Sequence, residues 1–299
     1  MALLGQEVRT RGASRWPEHG IDRLYARIAR VSRQANYLSL LDWIHQYVLP
    51  RTYLEIGTAR GHSMSLALPG TACIGIDPKP DIQFTLPPDS TVYEMTSDDF
   101  FEQIDVAQAL RGQPLDLAFI DGMHRFEVAL RDFINLESLA APETTILIHD
   151  CLPPNEVAAS RKWSLPLWTG DVWKTIAALR ESRPDLSVSV ADVPPSGLGI
   201  IRKLDPASSI LRDHYDELCE RYIPLSYEYF EQMDKSQLMG VVPGDWEHVR
   251  AVLPSRPFRE ANLTALKVQR LARAIPHAAR KVAASRAPAL YSLRRRRST

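Results

Sequence analysis

One stretch constrains the fold of this chain more than any other: Tyr53-Leu54-Glu55-Ile56-Gly57-Thr58-Ala59-Arg60-Gly61-His62-Ser63. It reads as a short buried strand that breaks at a glycine-bearing turn and re-enters as a helix. Such a turn leaves backbone N–H groups at a helix N-terminus, where a polar or anionic ligand can sit. Gly57 and Gly61 permit positive φ and a close approach of backbone to ligand. The spacing is Gly-x-x-x-Gly, not the Gly-x-Gly-x-x-Gly of dinucleotide enzymes, and no Gly-Lys-Ser/Thr follows as it would in a P-loop. Glu55, at the carboxyl end of the strand, repels a pyrophosphate but suits a ligand carrying an ammonium or sulfonium charge.

A second apolar strand, Ala72-Cys73-Ile74-Gly75-Ile76-Asp77, ends in an acid. It lies about twenty residues beyond Gly57, where doubly wound folds place a carboxylate on the ribose hydroxyls of a nucleoside. Glu55-Ile56-Gly57 with Gly61, followed by Ile76-Asp77, resembles the first two motifs of class I S-adenosylmethionine (SAM) methyltransferases. The resemblance implies an α/β, Rossmann-like sheet of seven strands, the last one antiparallel, with helical N- and C-terminal additions. It also implies SAM as cofactor, with Glu55, Gly57, Gly61 and Asp77 among the residues that bind it.

The rest of the chain fits that plan. Apolar residues recur at helical spacing from Ile21 to Val48, predicting two helices before the first strand, and Pro50 ends the run. After the Pro-rich loop Pro78 to Pro88, Thr91 to Met95 reads as a third strand. Ser97 or Asp98 then caps a helix, and by resemblance both are candidates to contact the adenine amine. Leu115 to Asp121 is the fourth strand, and a helix carrying Val128, Phe133 and Leu136 follows. Thr145 to Asp150 is the fifth. Four strands thus end in acids or an acid-glycine turn, Glu55, Asp77, Asp121 and Asp150, and open parallel sheets bind ligands outside those ends. The insert Cys151 to Gly170 is long enough for a lid or substrate loop. Asp171 to Arg180 reads as a helix, and Leu186 to Ala191 with Leu198 to Arg202 reads as a closing hairpin. Helices are expected over Ile210 to Tyr222, Pro224 to Met239 and Ala261 to Ile275, with a turn at Pro243-Gly244-Asp245. The predicted organisation is an N-terminal arm and helices (1–50), a SAM-binding core (51–205), a helical extension (206–280) and a basic disordered tail (281–299).

Asp121-Gly122-Met123-His124 and His149-Asp150 narrow the resemblance to the macrolide-sugar O-methyltransferase and cephalosporin-hydroxylase-like group. In those relatives an acid after the fourth strand and an acidic pair after the fifth hold a divalent cation, commonly Mg²⁺. By position, Asp121 and Asp150 are metal ligands and His124 is the base, with Asp121 also at the cofactor. His149 stands where the first acid of the pair would be. Imidazole suits later transition metals better than Mg²⁺, so any metal on Asp121, His149 and Asp150 is expected to be Mn²⁺, Fe²⁺ or Zn²⁺ rather than Mg²⁺. The alternative is metal-free catalysis in which His124 alone takes the proton and Asp150 orients the substrate. The chemistry matches these residue types. Methyl transfer needs in-line alignment and removal of the hydroxyl proton, which a neutral histidine can take. The implied activity is SAM-dependent O-methylation of a sugar or glycosylated small molecule. An NAD(P)-dependent oxidoreductase and a non-catalytic binding relative remain as alternatives. Trp163, Trp168 and Trp173 suit stacking on a sugar face, although aromatic residues are more often core.

Composition sets the outer bounds. The chain has 299 residues, 45% hydrophobic and 24% charged, with zero formal net charge. No global field recruits nucleic acid, and no apolar run approaches the ~18 residues of a membrane span. Met1 to Gly5 is too short for a signal-peptide core. Three scattered cysteines, Cys73, Cys151 and Cys219, fit a reducing cytoplasm. A small-molecule acceptor is the implied partner, and the sequence is compatible with a homo-oligomer.

Overall fold

A computed structural model describes residues 36–163, 167–255 and 257–259. The predicted arm, the first N-terminal helix, the Ala261 to Ile275 run and the basic tail lie outside the described residues.

The chain enters through α1 (Tyr37–Val48), whose N-terminus is capped by Asn36 Oδ1 accepting from Ser39 N at 2.8 Å. Five parallel strands follow: β1 (Thr52–Ile56), β2 (Ala72–Asp77), β3 (Ser90–Glu94), β4 (Leu115–Ile120) and β5 (Ala140–His149). Between them run α2 (Ser97–Gln103), α3 (Val106–Ala109) and α4 (Phe126–Glu137). After α5 (Trp173–Ser182), β6 (Ser187–Asp192) and β7 (Leu198–Arg202) form the expected hairpin. Helices α6 (Ile210–Asp213), α7 (Tyr215–Tyr222), α8 (Tyr227–Gln232) and α9 (Lys235–Met239) lead to β8 (Val241–Pro243) and α10 (Trp246–Ala251). The sheet order is β3-β2-β1-β4-β5-β7-β6-β8, with β7 antiparallel to both its neighbours.

The sheet has eight strands rather than the expected seven. β8 pairs in parallel with β6 at the edge, Val190 opposite Val241, where Pro243 is tolerated because an edge strand need not donate on its outer side. Residues 241–243, expected to lead into a turn, therefore extend the sheet.

Both faces of the sheet are covered, which is why its strands read as near-continuous apolar runs. Leu54, Ile56, Ile74, Ile76, Ile120 and Ile148 face α4 and α5, with Trp173 buried among them. Tyr53, Cys73, Leu117, Phe119 and Leu147 face α1 through Leu40, Leu41, Ile44 and Val48. This alternation assigns every β1 side chain to a layer.

The helix expected after the glycine turn is instead a single 3₁₀ turn, Met64–Leu66. Pro69 disfavours helical backbone at Leu68 and offers no N–H, and Gly70, at φ +79°, swings the chain towards β2. No helix N-terminus is presented there. The turn's donors are used internally: Gly57 N and Thr58 N donate to the Ile76 carbonyl, and Gly61 N to that of Thr58. The cap of α2 also differs from expectation. Thr96 holds it by accepting from Asp99 N at 3.1 Å, and Ser97 is the first helical residue.

Candidate active site

A cavity of about 720 Å³ opens at the carboxyl ends of β1, β2, β4 and β5, where ligands of open α/β sheets bind. Its wall includes Gly57, Asp77, Ser97, Asp98, Asp121, His124, His149 and Asp150, and is completed by Met123, Val128, Trp163, Leu167 and Trp168.

At one end Asp77 is held in place by backbone donors. Its Oδ2 accepts from Ala59 N and its Oδ1 from Lys79 N, both at 2.7 Å. Two carboxylate oxygens offer about four acceptor sites, so the group stays fixed while keeping capacity for a diol. Beside it, Asp98 receives a bidentate pair from Arg131 at 2.6 and 2.7 Å, and Arg131 also donates to Tyr215 Oη at 2.8 Å.

Gly57 is obligatory for a reason other than ligand approach. At φ +91°, a Cβ there would lie 2.0 Å from the Asp121 carbonyl oxygen. That close crossing lets Asp121 N donate to the Ile56 carbonyl at 2.8 Å and brings the ends of β1 and β4 together. Gly61 is not in the cavity wall. It faces Ile82 and Leu86 of the Pro-rich loop, which clasps the turn through Asp81 N to the Ala59 carbonyl and Gln83 N to that of Arg60.

Glu55 is the largest departure from the sequence reading. It shares its face with Tyr53, away from the cavity wall, and is fully buried. Tyr53 Oη donates to its Oε2 at 2.6 Å and Ser63 Oγ to its Oε1 at 2.7 Å. Burial raises its carboxyl, the two hydrogen bonds oppose this, and Asp121 and Asp77 add to it, leaving a pKa of about 8. It therefore ties the turn to β1 and presents no carboxylate to a cationic ligand.

The other end of the cavity gathers four titratable groups. His124 Nδ1 lies 2.7 Å from the Trp168 carbonyl and 3.1 Å from Asp150 Oδ2, and its Nε2 lies 3.5 Å from Asp121 Oδ1. His149 Nδ1 is 3.1 Å from Asp121 Oδ1. Burial alone would lower the His124 pKa, but Asp150 and Asp121 outweigh it and push it up to about 9. The same contest raises His149. Asp121 is the mirror case: burial would raise it, and the charges and hydrogen bonds of His149 and His124 hold it at about 2.

Adjacent strand residues point to opposite faces, yet His149 and Asp150 both reach the cluster. The reason is Asp150 itself, at φ +61°, a left-handed conformation that Asp adopts more readily than most residues. The chain turns there, leaving His149 Nδ1 3.5 Å from Asp150 Oδ1.

Potential ligand atoms of Asp121, His124 and Asp150 lie within 4.8 Å of one another. Two carboxylates and one imidazole fit a divalent ion and favour a later transition metal over Mg²⁺. Among the described residues, His124 completes this group in the place expected for His149. His149 instead stacks on Tyr37, ring centroids 3.9 Å apart, and lies 3.4 Å from Ser196 Oγ. Ser196 Oγ donates to Asp150 Oδ1 at 2.5 Å.

Three of these neighbours had no local signal. Tyr37 and Ser196 reach the cluster from the start of α1 and from the β6–β7 turn. Asp171 meets it through its backbone, its N donating to the His124 carbonyl at 3.3 Å, while its Oδ1 accepts from Phe126 N at 2.9 Å and its Oδ2 from Arg161 at 2.6 Å. The three tryptophans also separate. Trp173 is core, Trp168 stacks on His124 at 5.0 Å, and Trp163 stands exposed at the mouth.

Among the described residues, no helix is long and apolar enough to cross a membrane. No curated protein matches the chain. Several solved structures are similar to it. The cofactor-bound protein Rv0187 from MTB is 15% identical, with 62% of this chain and 90% of that one covered, at TM-score 0.46. The O-methyltransferase TomG from Streptomyces achromogenes, involved in tomaymycin synthesis and solved with SAM, is 15% identical over 63% and 91%, at 0.43. An O-methyltransferase from Bacillus cereus, in complex with SAH, is 17% identical over 60% and 86%, at 0.39. The family model described as "Methyltransferase domain" matches residues 54–151. That stretch runs from β1 to the residue after Asp150 and holds Gly57, Asp77, Asp121 and His124, so residues 54–151 are similar to a methyltransferase domain.

Proposed function

We infer that this protein is a SAM-dependent O-methyltransferase acting on a hydroxyl of a sugar or glycosylated small molecule in a reducing, cytoplasmic setting. The observation that carries the reading is one cavity with Asp77 at one end and the His124–Asp121–Asp150 cluster at the other. Asp77, Ser97 and Asp98 suit the nucleoside, with Asp77 accepting from the ribose hydroxyls. Bound SAM supplies an electrophilic methyl on a sulfonium and leaves as the neutral thioether S-adenosylhomocysteine. The negative potential of Asp77, Asp121 and Asp150 favours that cation.

The acceptor hydroxyl is a poor nucleophile until its proton is removed. The close Trp168 carbonyl can only accept, so Nδ1 of His124 carries a hydrogen. Its Nε2 is then the atom that takes the hydroxyl proton. Asp121 and Asp150 hold the His124 proton strongly, with its pKa near 9, so the base is fully competent only at alkaline pH or once those charges are offset. A divalent cation held by Asp121, His124 and Asp150 would occupy that Nε2, and would then promote loss of the hydroxyl proton by lowering the hydroxyl's own pKa. His149, held by Asp121, Tyr37 and Ser196, keeps both carboxylates oriented.

The test is mass spectrometry of reactions with SAM and a panel of glycosides and phenols. A methylated product formed only with SAM, and lost in His124→Ala, supports the reading. Absence of product across the panel, or an unimpaired His124→Ala enzyme, contradicts it.

A further inference from the structure

Trp163 is the most exposed of the large hydrophobic residues described, at 72%, yet it belongs to the cavity wall. Exposed indole is unremarkable on a loose loop, but this loop is tied down on both sides of the residue. Two positions before it, Arg161 donates to buried Asp171 at 2.6 Å and to Glu127 at 2.7 Å. Five positions after it, Trp168 donates through Nε1 to the Ser160 carbonyl at 2.5 Å and stacks on His124. The same anchors fix the His124 loop, because Gly170, at φ +55°, packs so tightly on the His124 carbonyl that a Cβ would lie 1.7 Å from it. The indole thus shares one cavity wall with the base, between two anchored positions and with most of its own surface exposed. Met123, 53% exposed, and Leu167 extend the apolar rim.

The charges in the wall narrow what can lie there. Among the described residues no Lys or Arg lines the cavity, whereas Asp77, Asp98, Asp121 and Asp150 do, balanced by His124 and His149 and, behind Asp98, by Arg131. Among the described residues the histidines are the only cationic groups in the wall, and both already face Asp121 and Asp150, so an acceptor carboxylate or phosphate would meet carboxylates there.

We propose that Trp163 is the platform on which an uncharged ring of the acceptor stacks, presenting a ring hydroxyl to His124. This rests on the methyltransferase reading and deepens it: the acceptor class is neutral and cyclic, recognised by the face of its ring. Stacking on an indole tolerates a pyranose C–H face or an aryl ring, so specificity for the hydroxyl comes from the His124–Asp150 end.

The test uses the full chain loaded with S-adenosylhomocysteine and three probes: phenyl β-D-glucopyranoside, the corresponding phenyl β-D-glucuronide, and acyclic sorbitol. Saturation-transfer NMR reads binding without turnover, and calorimetry with S-adenosylhomocysteine runs in parallel on each variant. The neutral glucoside is expected to bind at least tenfold more tightly than the glucuronide, with sorbitol below detection. Trp163→Ala should weaken the glucoside at least tenfold while leaving S-adenosylhomocysteine affinity unchanged, and Trp163→Phe should restore most of the loss. The proposal is overturned if the glucoside does not bind, if the glucuronide binds equally well, or if Trp163→Ala is without effect. Failure of S-adenosylhomocysteine to bind would instead strike the underlying reading.

Discussion

Replacing Glu55 by Gln should change how stability depends on pH. The carboxyl is fully buried on the α1 face and accepts from the neutral hydroxyls of Tyr53 and Ser63, while Asp121 and Asp77 oppose its ionisation further. Its pKa is therefore raised from 4.5 to about 8. A group whose folded pKa lies above its unfolded value contributes stability that is complete below the unfolded pKa and is lost as pH rises through the folded one. Integrating between those two values, wild type should lose about 3–4 kcal/mol relative to Glu55→Gln between pH 5 and pH 8. Gln keeps the shape and can still bond both hydroxyls but does not titrate. Comparing the two proteins cancels the histidines and other carboxylates that titrate alongside. Urea denaturation at pH 5, 6, 7 and 8, followed by far-UV circular dichroism, measures the difference. A difference that stays flat within about 0.5 kcal/mol would show that Glu55 ionises normally, and the buried, neutral turn-tie would be wrong.

Three further outcomes follow from the cluster and the turn. Gly57→Ala should cost about 3 kcal/mol or more in thermal or chemical unfolding, because left-handed strain adds to a Cβ 2.0 Å from the Asp121 carbonyl; a loss under about 1 kcal/mol would refute the crossing. Ser196→Ala removes the hydrogen bond to Asp150, worth about 1.5–3 kcal/mol for a charged acceptor, and should lower kcat with little change in S-adenosylhomocysteine affinity; an unaltered kcat would deny Ser196 its orienting role. Chelation should depress activity, with Mn²⁺, Fe²⁺ or Zn²⁺ restoring it better than Mg²⁺, and full activity in chelator would remove the metal from the account.

Much of the architecture was readable because parallel strands buried on both faces are long apolar runs, and their acids mark the end where a ligand binds. Asp77, Asp121, His124 and Asp150 reach one cavity for that reason. Glu55 misled because the acid-then-glycine pattern drew attention to sequence order, while strand alternation pairs it with Tyr53 and sends both towards α1. The turn's missing helix was written in Pro69-Gly70, which leaves too few residues for an α-helical turn to propagate. β8 is three residues long, too short for alternation to register, and only its pairing with β6 identifies it. Tyr37 and Ser196 reach His149 and Asp150 across the fold, and no local spacing encodes such contacts. Trp173 sits at the start of an amphipathic helix, where burial is the ordinary outcome, whereas Trp163 lies in a segment without periodicity.

The central claim is that the cavity between Asp77 and His124 holds SAM. Isothermal titration of the purified chain with S-adenosylhomocysteine addresses it most directly, because it needs neither acceptor nor metal. One-site saturable binding is expected, with no heat from NAD or NADP. In Asp77→Ala and Asp77→Asn, checked for an unchanged circular dichroism spectrum, affinity should fall by about 2–3 kcal/mol, roughly 30- to 150-fold. Absence of binding by the folded wild type, or undiminished affinity in both variants, would contradict the account.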